Sequence, residues 1–242
     1  MTVTATGPST VLREARIPGD GMYEGRRTLR RLPEGWEERP YEHFEAVPQA
    51  RTIGAEIRGV DLARPLTPAL REELNRALLE WKVLFFRAQH LTSGQQRDFA
   101  GHWGPLETNP LLTAGSSDDV VRFDKGDGGV PTYENVWHTD VTFRERPALG
   151  AVLQLREVPP FGGDTMWADM AAAYDNLPAR VRERIDGARA VHDFIPGFAR
   201  FYGPGRGGAR PGDLPPRVAP RGPPPPGGGA PVQGGNTAVP PP

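Results

Sequence analysis

Apolar residues recur at helical spacing in two stretches of the first half of the chain. The apolar residues of the first stretch fall on one helical face: Leu70, Leu74, Ala77, Leu78 and Trp81. Thr67 can cap this helix, and Pro68 suits its first turn. In the second stretch Ser93 and Gln96 have the spacing of a capping box, ahead of an apolar stripe over residues 99–103. The pattern therefore predicts two helices.

Later apolar runs predict strands and shorter helices. The run Val83–Phe86 indicates a buried strand, and Leu149–Leu155 indicates a core strand. Residues 170–177 and 178–186 predict two short helices, because a proline begins the second and Gly187 follows its end.

The two ends of the chain differ in composition from its middle. Residues 1–40 are polar, are interrupted by Gly and Pro and lack clear periodicity, so we expect a loosely ordered arm. From Gly203 to Pro242, 24 of 40 residues are Gly or Pro. So few large apolar side chains cannot seal a core, and a disordered or polyproline-like tail is expected over 203–242. The folded domain is therefore predicted over residues 41–202.

Charge and composition exclude several classes of function. The chain has 29 Lys and Arg against 30 Asp and Glu, so it shows no electrostatic footprint for nucleic acid or an anionic membrane. Without cysteine it has no disulfide, no thiolate nucleophile and no iron–sulfur cluster. Its first residues lack the pattern of a signal peptide, and no apolar run has the length of a membrane span. We therefore expect a cytoplasmic protein.

The candidate chemistry lies in the sequence Trp137-His138-Thr139-Asp140. On an extended strand His138 and Asp140 point to the same side, where both can bind one divalent metal ion. They would supply two of the three ligands of a 2-His-1-carboxylate iron site. His192 is the only later histidine and so the only candidate third ligand; a hydrogen-bonded core histidine is the favoured reading of that residue.

Seven segments together resemble the TauD/TfdA family, the taurine dioxygenase-like 2-oxoglutarate-dependent oxygenases. They are Ile53–Leu62, Leu84–Arg87, Phe99–Gly104, Asn135–Phe143, Gly162–Trp167, Ala171–Tyr174 and Ala190–Phe194. The resemblance runs in order from about Phe44 to Phe201. It implies an α+β, mainly β fold: a double-stranded β-helix, or jelly-roll, with Fe(II) between its sheets.

The resemblance also implies roles for individual residues. His138 and Asp140 match the first histidine and the carboxylate that bind the metal. Thr165 matches the hydroxyl that hydrogen-bonds the distal carboxylate of 2-oxoglutarate, with a residue of a Gly-Gly turn that packs beside a strand as the alternative. Phe198 matches a substrate-pocket aromatic, with ordinary core packing as the alternative. Trp137 and Trp167 are expected to pack around the metal strand. The implied reaction is hydroxylation of a small organic acid with O₂, coupled to decarboxylation of the co-substrate 2-oxoglutarate to succinate.

The chain departs from the family after residue 201. The distal histidine ligand and the arginine that pairs with 2-oxoglutarate have no match, and the strands of the second half of the jelly-roll are incomplete. Because codons for Gly, Pro, Ala and Arg can consist wholly of G and C, we expect a truncated or frameshifted C-terminus. The alternative is an inactive remnant or a small-ligand-binding protein. An exposed half-barrel predicts poor solubility or a homo-oligomer. The substrate is not specified.

Overall fold

The computed structural model describes residues 29–32, 35–107, 120 and 137–193, together with the backbone of 217–220 and 236–237. Its elements, in chain order, are β1 (Glu45–Pro48), β2 (Ala55–Arg58), α1 (Pro68–Trp81), β3 (Leu84–Phe85), α2 (Ser93–Gly101), β4 (Met166–Trp167), α3 (Met170–Asp175), α4 (Ala179–Ile185), β5 (Arg189–His192), β6 (Arg217–Pro220) and β7 (Asn236–Thr237). The mixture of helices and strands agrees with the predicted α+β class.

Helix α1 begins where the sequence predicted. The Thr67 side chain accepts a hydrogen bond from the Leu70 amide at 3.2 Å, and proline occupies the first turn. This satisfies one of the amides that a helix start leaves without an intrahelical partner. The helix buries Leu74, Ala77 and Trp81. The predicted apolar face is confirmed as the face that meets the core.

A three-stranded sheet, in the order β1-β2-β3, supplies the other side of this core. Strand β2 pairs antiparallel with β1 and parallel with β3. The buried apolar residues of the core are Phe44, Ala55, Ile57, Val60, Leu62, Leu74, Ala77, Trp81, Leu91 and Phe99. The core therefore combines residues of the sheet, both longer helices and their connections.

The capping box of α2 lies one residue earlier than predicted. Thr92 is the N-cap, and its hydroxyl accepts from the Gln95 amide while the Gln95 side chain accepts from the Thr92 amide. Ser93 is instead the first helical residue. The Gln95 side chain also donates to the Ala63 carbonyl at 3.2 Å, which ties this cap to the loop after β2.

The expected core strand Leu149–Leu155 is wrong. The segment is described without strand pairing, and Leu153 and Leu155 are exposed. Side chains instead attach the segment to its neighbours: Gln96 donates to the Val152 carbonyl at 2.9 Å, and Arg156, which follows the segment, donates to the Leu91 carbonyl at 3.3 Å. A strand needs a neighbouring strand to satisfy its backbone, and none pairs with this segment among the described residues.

The two short helices predicted over 170–186 are confirmed as α3 and α4. The tail differs from expectation wherever it is described, because β6 pairs with β5 and β7 pairs with β4, both antiparallel. The expectation of a tail without regular structure is thus wrong for these six residues. The described strands form three separate small sheets. None of the described helices is long and apolar enough to cross a membrane.

The N-terminal arm is docked on α1 around Arg31, against the expectation of a loose arm through residue 40. The Arg31 guanidinium donates to the Glu80 carboxylate at 2.9 Å and to Glu38 at 2.7 Å, and it lies 4.3 Å from the ring centroid of Trp81. Tyr41 donates to the same Glu80 oxygen at 2.6 Å. A guanidinium and a phenol that share one buried acceptor thus fix this part of the chain to the helix.

Tyr41 predicts a fall in stability at alkaline pH. Burial, and then the hydrogen bond to the Glu80 carboxylate, raise the pKa of Tyr41 well above its ordinary value. The folded state therefore holds this proton more tightly than the unfolded state. The stabilisation is complete below the usual tyrosine pKa of about 10. It is lost as the pH rises from there toward the folded-state pKa.

The measurement is the melting temperature between pH 8 and pH 11 for the wild type and for Tyr41→Phe. The wild type should lose melting temperature more steeply above pH 10 than the variant, which has no phenolic proton at this position. Parallel curves for the two proteins would contradict the assignment.

Candidate functional site

The metal-binding candidates His138 and Asp140 lie side by side. His138 Nε2 is 3.2 Å from Asp140 Oδ1. Two ligand atoms at about 2.1 Å from one ion and at right angles lie about 3.0 Å apart, so this pair can bind adjacent positions of one ion. A neutral imidazole and a carboxylate also suit Fe(II). The pair therefore fits the implied metal, as two of its ligands.

The predicted strand is wrong, because His138 lies in an irregular segment and Asp140 begins a turn. Residues 137–139 have no regular structure, and 140–143 form a turn closed by a hydrogen bond from the Arg144 amide to the Val141 carbonyl at 2.9 Å. Val141 has a φ of 47°, in the left-handed region that β-branched residues avoid. Strained backbone is retained only where its surroundings hold it. Here the strain lies beside Asp140.

Two contacts hold the turn from outside. Arg144 forms an ion pair with Glu107, beyond α2, at 2.8 Å. On the other side His192 of β5 places its Nδ1 3.0 Å from the Thr142 hydroxyl. The resemblance gave no role to Thr142, although a hydroxyl two residues after the carboxylate was visible in the sequence. Two contacts thus fix the chain directly after the His138–Asp140 pair.

His192 reaches the turn through Thr142. Its Nε2 atom is buried without a hydrogen-bond partner among the described residues. No group of three or more metal-binding side chains occurs in the part of the chain that the structure describes, so His192 does not complete a three-ligand set there. The favoured reading of a hydrogen-bonded histidine agrees with its contact to Thr142.

Thr165 follows a turn that requires glycine. Gly162 and Gly163 have φ angles of 78° and 71°, which cost other residues backbone energy. The turn delivers the chain into β4, directly after Thr165. The ring of Trp167 in β4 meets Phe85 of β3 edge to face, with centroids 5.5 Å apart. The Gly-Gly-Asp-Thr motif thus places an exposed threonine beside the first sheet.

An open groove of about 320 Å³ joins Thr165 to the metal-binding segment. Its lining combines the β1–β2 loop, β3, the residue before His138 and the start of β4: Gln49, Ala50, Ile53, Gly54, Val83, Phe85, Trp137, Thr165, Met166 and Trp167. A mostly apolar groove with one hydroxyl at its side can hold a small molecule with an apolar body.

The remaining predicted residues lie elsewhere. Trp137 is half exposed and lines the groove, so its expected core packing is wrong. Phe198 lies outside the described residues. Two histidines outside the site have structural contacts: His43 lies 3.0 Å from Glu73, and the His102 ring meets Trp103 edge to face.

The chain matches one family over most of its length. The model of the family "Taurine catabolism dioxygenase TauD, TfdA family" matches residues 43–232. This range extends beyond residue 201, where the sequence motifs of the resemblance ended. The dioxygenases of this family use Fe(II) and 2-oxoglutarate.

Curated relatives carry names of such enzymes. An alpha-ketoglutarate-dependent sulfate ester dioxygenase of Pseudomonas putida is 42% identical over 146 residues, which cover 60% of this chain and 48% of the relative. A phenoxypropionate/alpha-ketoglutarate dioxygenase of Sphingobium herbicidovorans is 37% identical over 160 residues, covering 62% and 53%. The chain thus spans about half the length of the curated relatives it matches.

A solved structure adds the fold. A taurine dioxygenase from Burkholderia xenovorans is 35% identical with a TM-score of 0.53, covering 63% of this chain and 54% of its own. The likeness holds in sequence and in backbone path. Together with the family match over residues 43–232, it establishes that this chain belongs to the TauD/TfdA family of dioxygenases.

Proposed function

We propose that this chain is, or is part of, an Fe(II)- and 2-oxoglutarate-dependent dioxygenase that hydroxylates a small organic acid. The observation that carries the proposal is the 3.2 Å approach of His138 Nε2 to Asp140 Oδ1 beside the groove that Thr165 lines. In the proposal, His138 and Asp140 hold the metal. The bound Fe(II) supplies the redox chemistry that couples O₂ to decarboxylation of 2-oxoglutarate.

The protein's own residues bind and orient. The Thr165 hydroxyl donates a hydrogen bond to the distal carboxylate of 2-oxoglutarate, and the apolar wall formed by Phe85, Trp137 and Trp167 excludes water from its carbon chain. The turn over 140–143 keeps Asp140 next to His138 through its contacts to His192 and Glu107. Phe198 is proposed on the substrate side.

The finer features of the fold belong to this proposal as well. We place the described sheets within a double-stranded β-helix whose second half is incomplete in this chain. An incomplete second half would leave apolar side chains exposed. The large apolar side chains that are exposed in the second half of the described region include Leu153, Leu155, Val158, Phe161, Met170 and Val191. Association of two copies would cover this surface. A cytoplasmic location remains a prediction.

The test is conversion of 2-oxoglutarate to succinate by the purified chain with Fe(II), ascorbate and O₂. We expect the chain to form succinate and His138→Ala to abolish this activity. His90→Ala should leave it unchanged, because His90 is exposed and far along the chain from the pair. Binding of Mn(II) and 2-oxoglutarate without succinate would favour the alternative of a small-ligand-binding protein. Absence of binding would favour an inactive remnant.

A further inference from the structure

Lys82 has a buried ammonium group at the end of α1. Its side chain is 6% exposed, and its Nζ lies 3.0 Å from Oδ2 of Asp169, whose side chain is 5% exposed. The same Nζ donates hydrogen bonds to the carbonyls of Arg31, at 3.0 Å, and Thr52, at 2.8 Å. One side chain thus joins the N-terminal arm, the β1–β2 loop and the segment before α3.

The backbone at Lys82 is unfavourable for lysine. It is the C-cap of α1 with a φ of 65°, and its amide donates to the Leu78 carbonyl. Glycine is the usual residue near a helix end in this left-handed conformation, because it has no Cβ to clash. Local conformational preference therefore favours glycine at this position. What the lysine adds is its side-chain contacts.

Asp169 divides its carboxylate between two partners. Oδ1 accepts a hydrogen bond from the Ala172 amide at 3.1 Å and so caps α3. Oδ2 has no hydrogen-bond partner among the described residues, which leaves the ion pair with Lys82 as its compensation. A buried carboxylate without a counter-charge is costly, so loss of Lys82 would drive Asp169 toward solvent.

The position of Asp169 governs β4. Asp169 lies four positions after Thr165, and β4 lies between them with Trp167 against Phe85 of β3. Strand β3 begins two residues after Lys82. The ion pair therefore joins the two walls of the groove at one point, because Lys82 lies just before β3 in the chain and Asp169 lies just after β4.

We propose that Lys82 is a positioning residue for the co-substrate side of the groove: by pairing with Asp169 it holds β4, and with it Thr165, against β3. This inference rests on the proposed function for the role of Thr165. In this inference the ion pair fixes the position of the residue that binds the co-substrate. The proposed metal ligands His138 and Asp140 are held by other contacts, those of the segment that carries them.

The test compares two affinities in variants of the full chain. Lys82→Met keeps the apolar stem and removes the charge, whereas Lys82→Gly also relieves the left-handed backbone. Both should raise the Kd of Mn(II)-loaded protein for 2-oxoglutarate by roughly tenfold or more, with less than about a twofold change in the Kd for Mn(II). Arg64→Met, at an exposed ion pair, is the matched control and should change neither affinity.

The glycine variant separates positioning from stability. It should melt at a higher temperature than Lys82→Met and still bind 2-oxoglutarate as weakly. Asp169→Asn keeps a side-chain oxygen for the cap of α3 and should lose 2-oxoglutarate affinity to the same extent. Combining Asp169→Asn with Lys82→Met should lower this affinity little further. Wild-type 2-oxoglutarate affinity in Lys82→Gly would overturn the inference, as would parallel losses of both affinities and melting temperature.

A second readout does not depend on the proposed function. Amide hydrogen exchange over residues 165–172 should be faster in Lys82→Met than in the wild type, while exchange over 137–144 should stay the same. If the wild type fails to bind 2-oxoglutarate, the proposed function fails and this exchange decides whether Lys82 positions β4. Unchanged exchange over 165–172 would overturn that role.

Discussion

Replacing Glu80 with alanine is expected to lower the free energy of unfolding by about 3–5 kcal/mol. Glu80 is 1% exposed and accepts hydrogen bonds from Arg31, Tyr41 and Arg76. Its removal takes away the buried carboxylate that Arg31 and Arg76 share, so that Arg31 keeps only Glu38 and Arg76 only Glu73 as a carboxylate partner. Tyr41 loses its acceptor. Urea unfolding, with the slope checked for a change in the denatured state, measures the loss.

An exposed carboxylate provides the control for this experiment. Glu45 lies 4.0 Å from Arg58, and both side chains are more than half exposed, so Glu45→Ala should cost less than about 1 kcal/mol. Replacing both Arg31 and Glu80 with apolar residues should recover part of the stability, because no unpaired charge is then buried at that pair. A cost for Glu80→Ala as small as that of Glu45→Ala would contradict the central role of Glu80.

Replacing His138 with alanine is expected to weaken Mn(II) binding by about 100-fold or more. His138 and Asp140 are the two proposed metal ligands and lie 3.2 Å apart, so the loss of His138 leaves one carboxylate. The wild type itself should bind weakly, because two protein ligands leave most coordination positions to water. Anaerobic titration with Mn(II) avoids oxidation of the metal and measures both affinities.

His192→Ala is the informative comparison for this second prediction. His192 contacts the turn through Thr142, so its loss should weaken binding much less than the loss of His138. His90→Ala should have no effect. An equal loss in His138→Ala and His192→Ala would mean that both histidines bind the ion. Tight binding that only His138→Ala removes would reveal a third ligand outside the described residues.

The metal pair shows how far a local motif can be interpreted. The sequence placed His138 and Asp140 together because strand side chains alternate, and they are together. The reason was wrong, since His138 lies in an irregular segment and Asp140 begins a turn that contains left-handed Val141. A spacing of two residues brings side chains close in more than one backbone conformation. Residue types and spacing were therefore sufficient for the pair, but not for its conformation.

The helix caps show a similar limit. Thr67 and Pro68 determine the start of α1 because cap and first turn are local interactions. For α2, both Thr92 and Ser93 precede a glutamine by three residues, so the sequence alone allows either cap. The contact of Gln95 with the Ala63 carbonyl favours Thr92. That carbonyl lies 32 residues away in the chain, and no local pattern contains it.

The sequence by itself determined the family, through motifs that follow in order along the chain. It also determined the two long helices and the closeness of His138 and Asp140, because each of these depends on residues a few positions apart. Only the tertiary structure decided the Arg31–Glu80 network, the Lys82–Asp169 ion pair and the contact of His192 with Thr142. The first and third of these contacts join residues about 50 positions apart, and the second joins residues farther apart still. Their partners are chosen by packing and burial, which bring together charges and polar groups that have no periodic relation in the sequence.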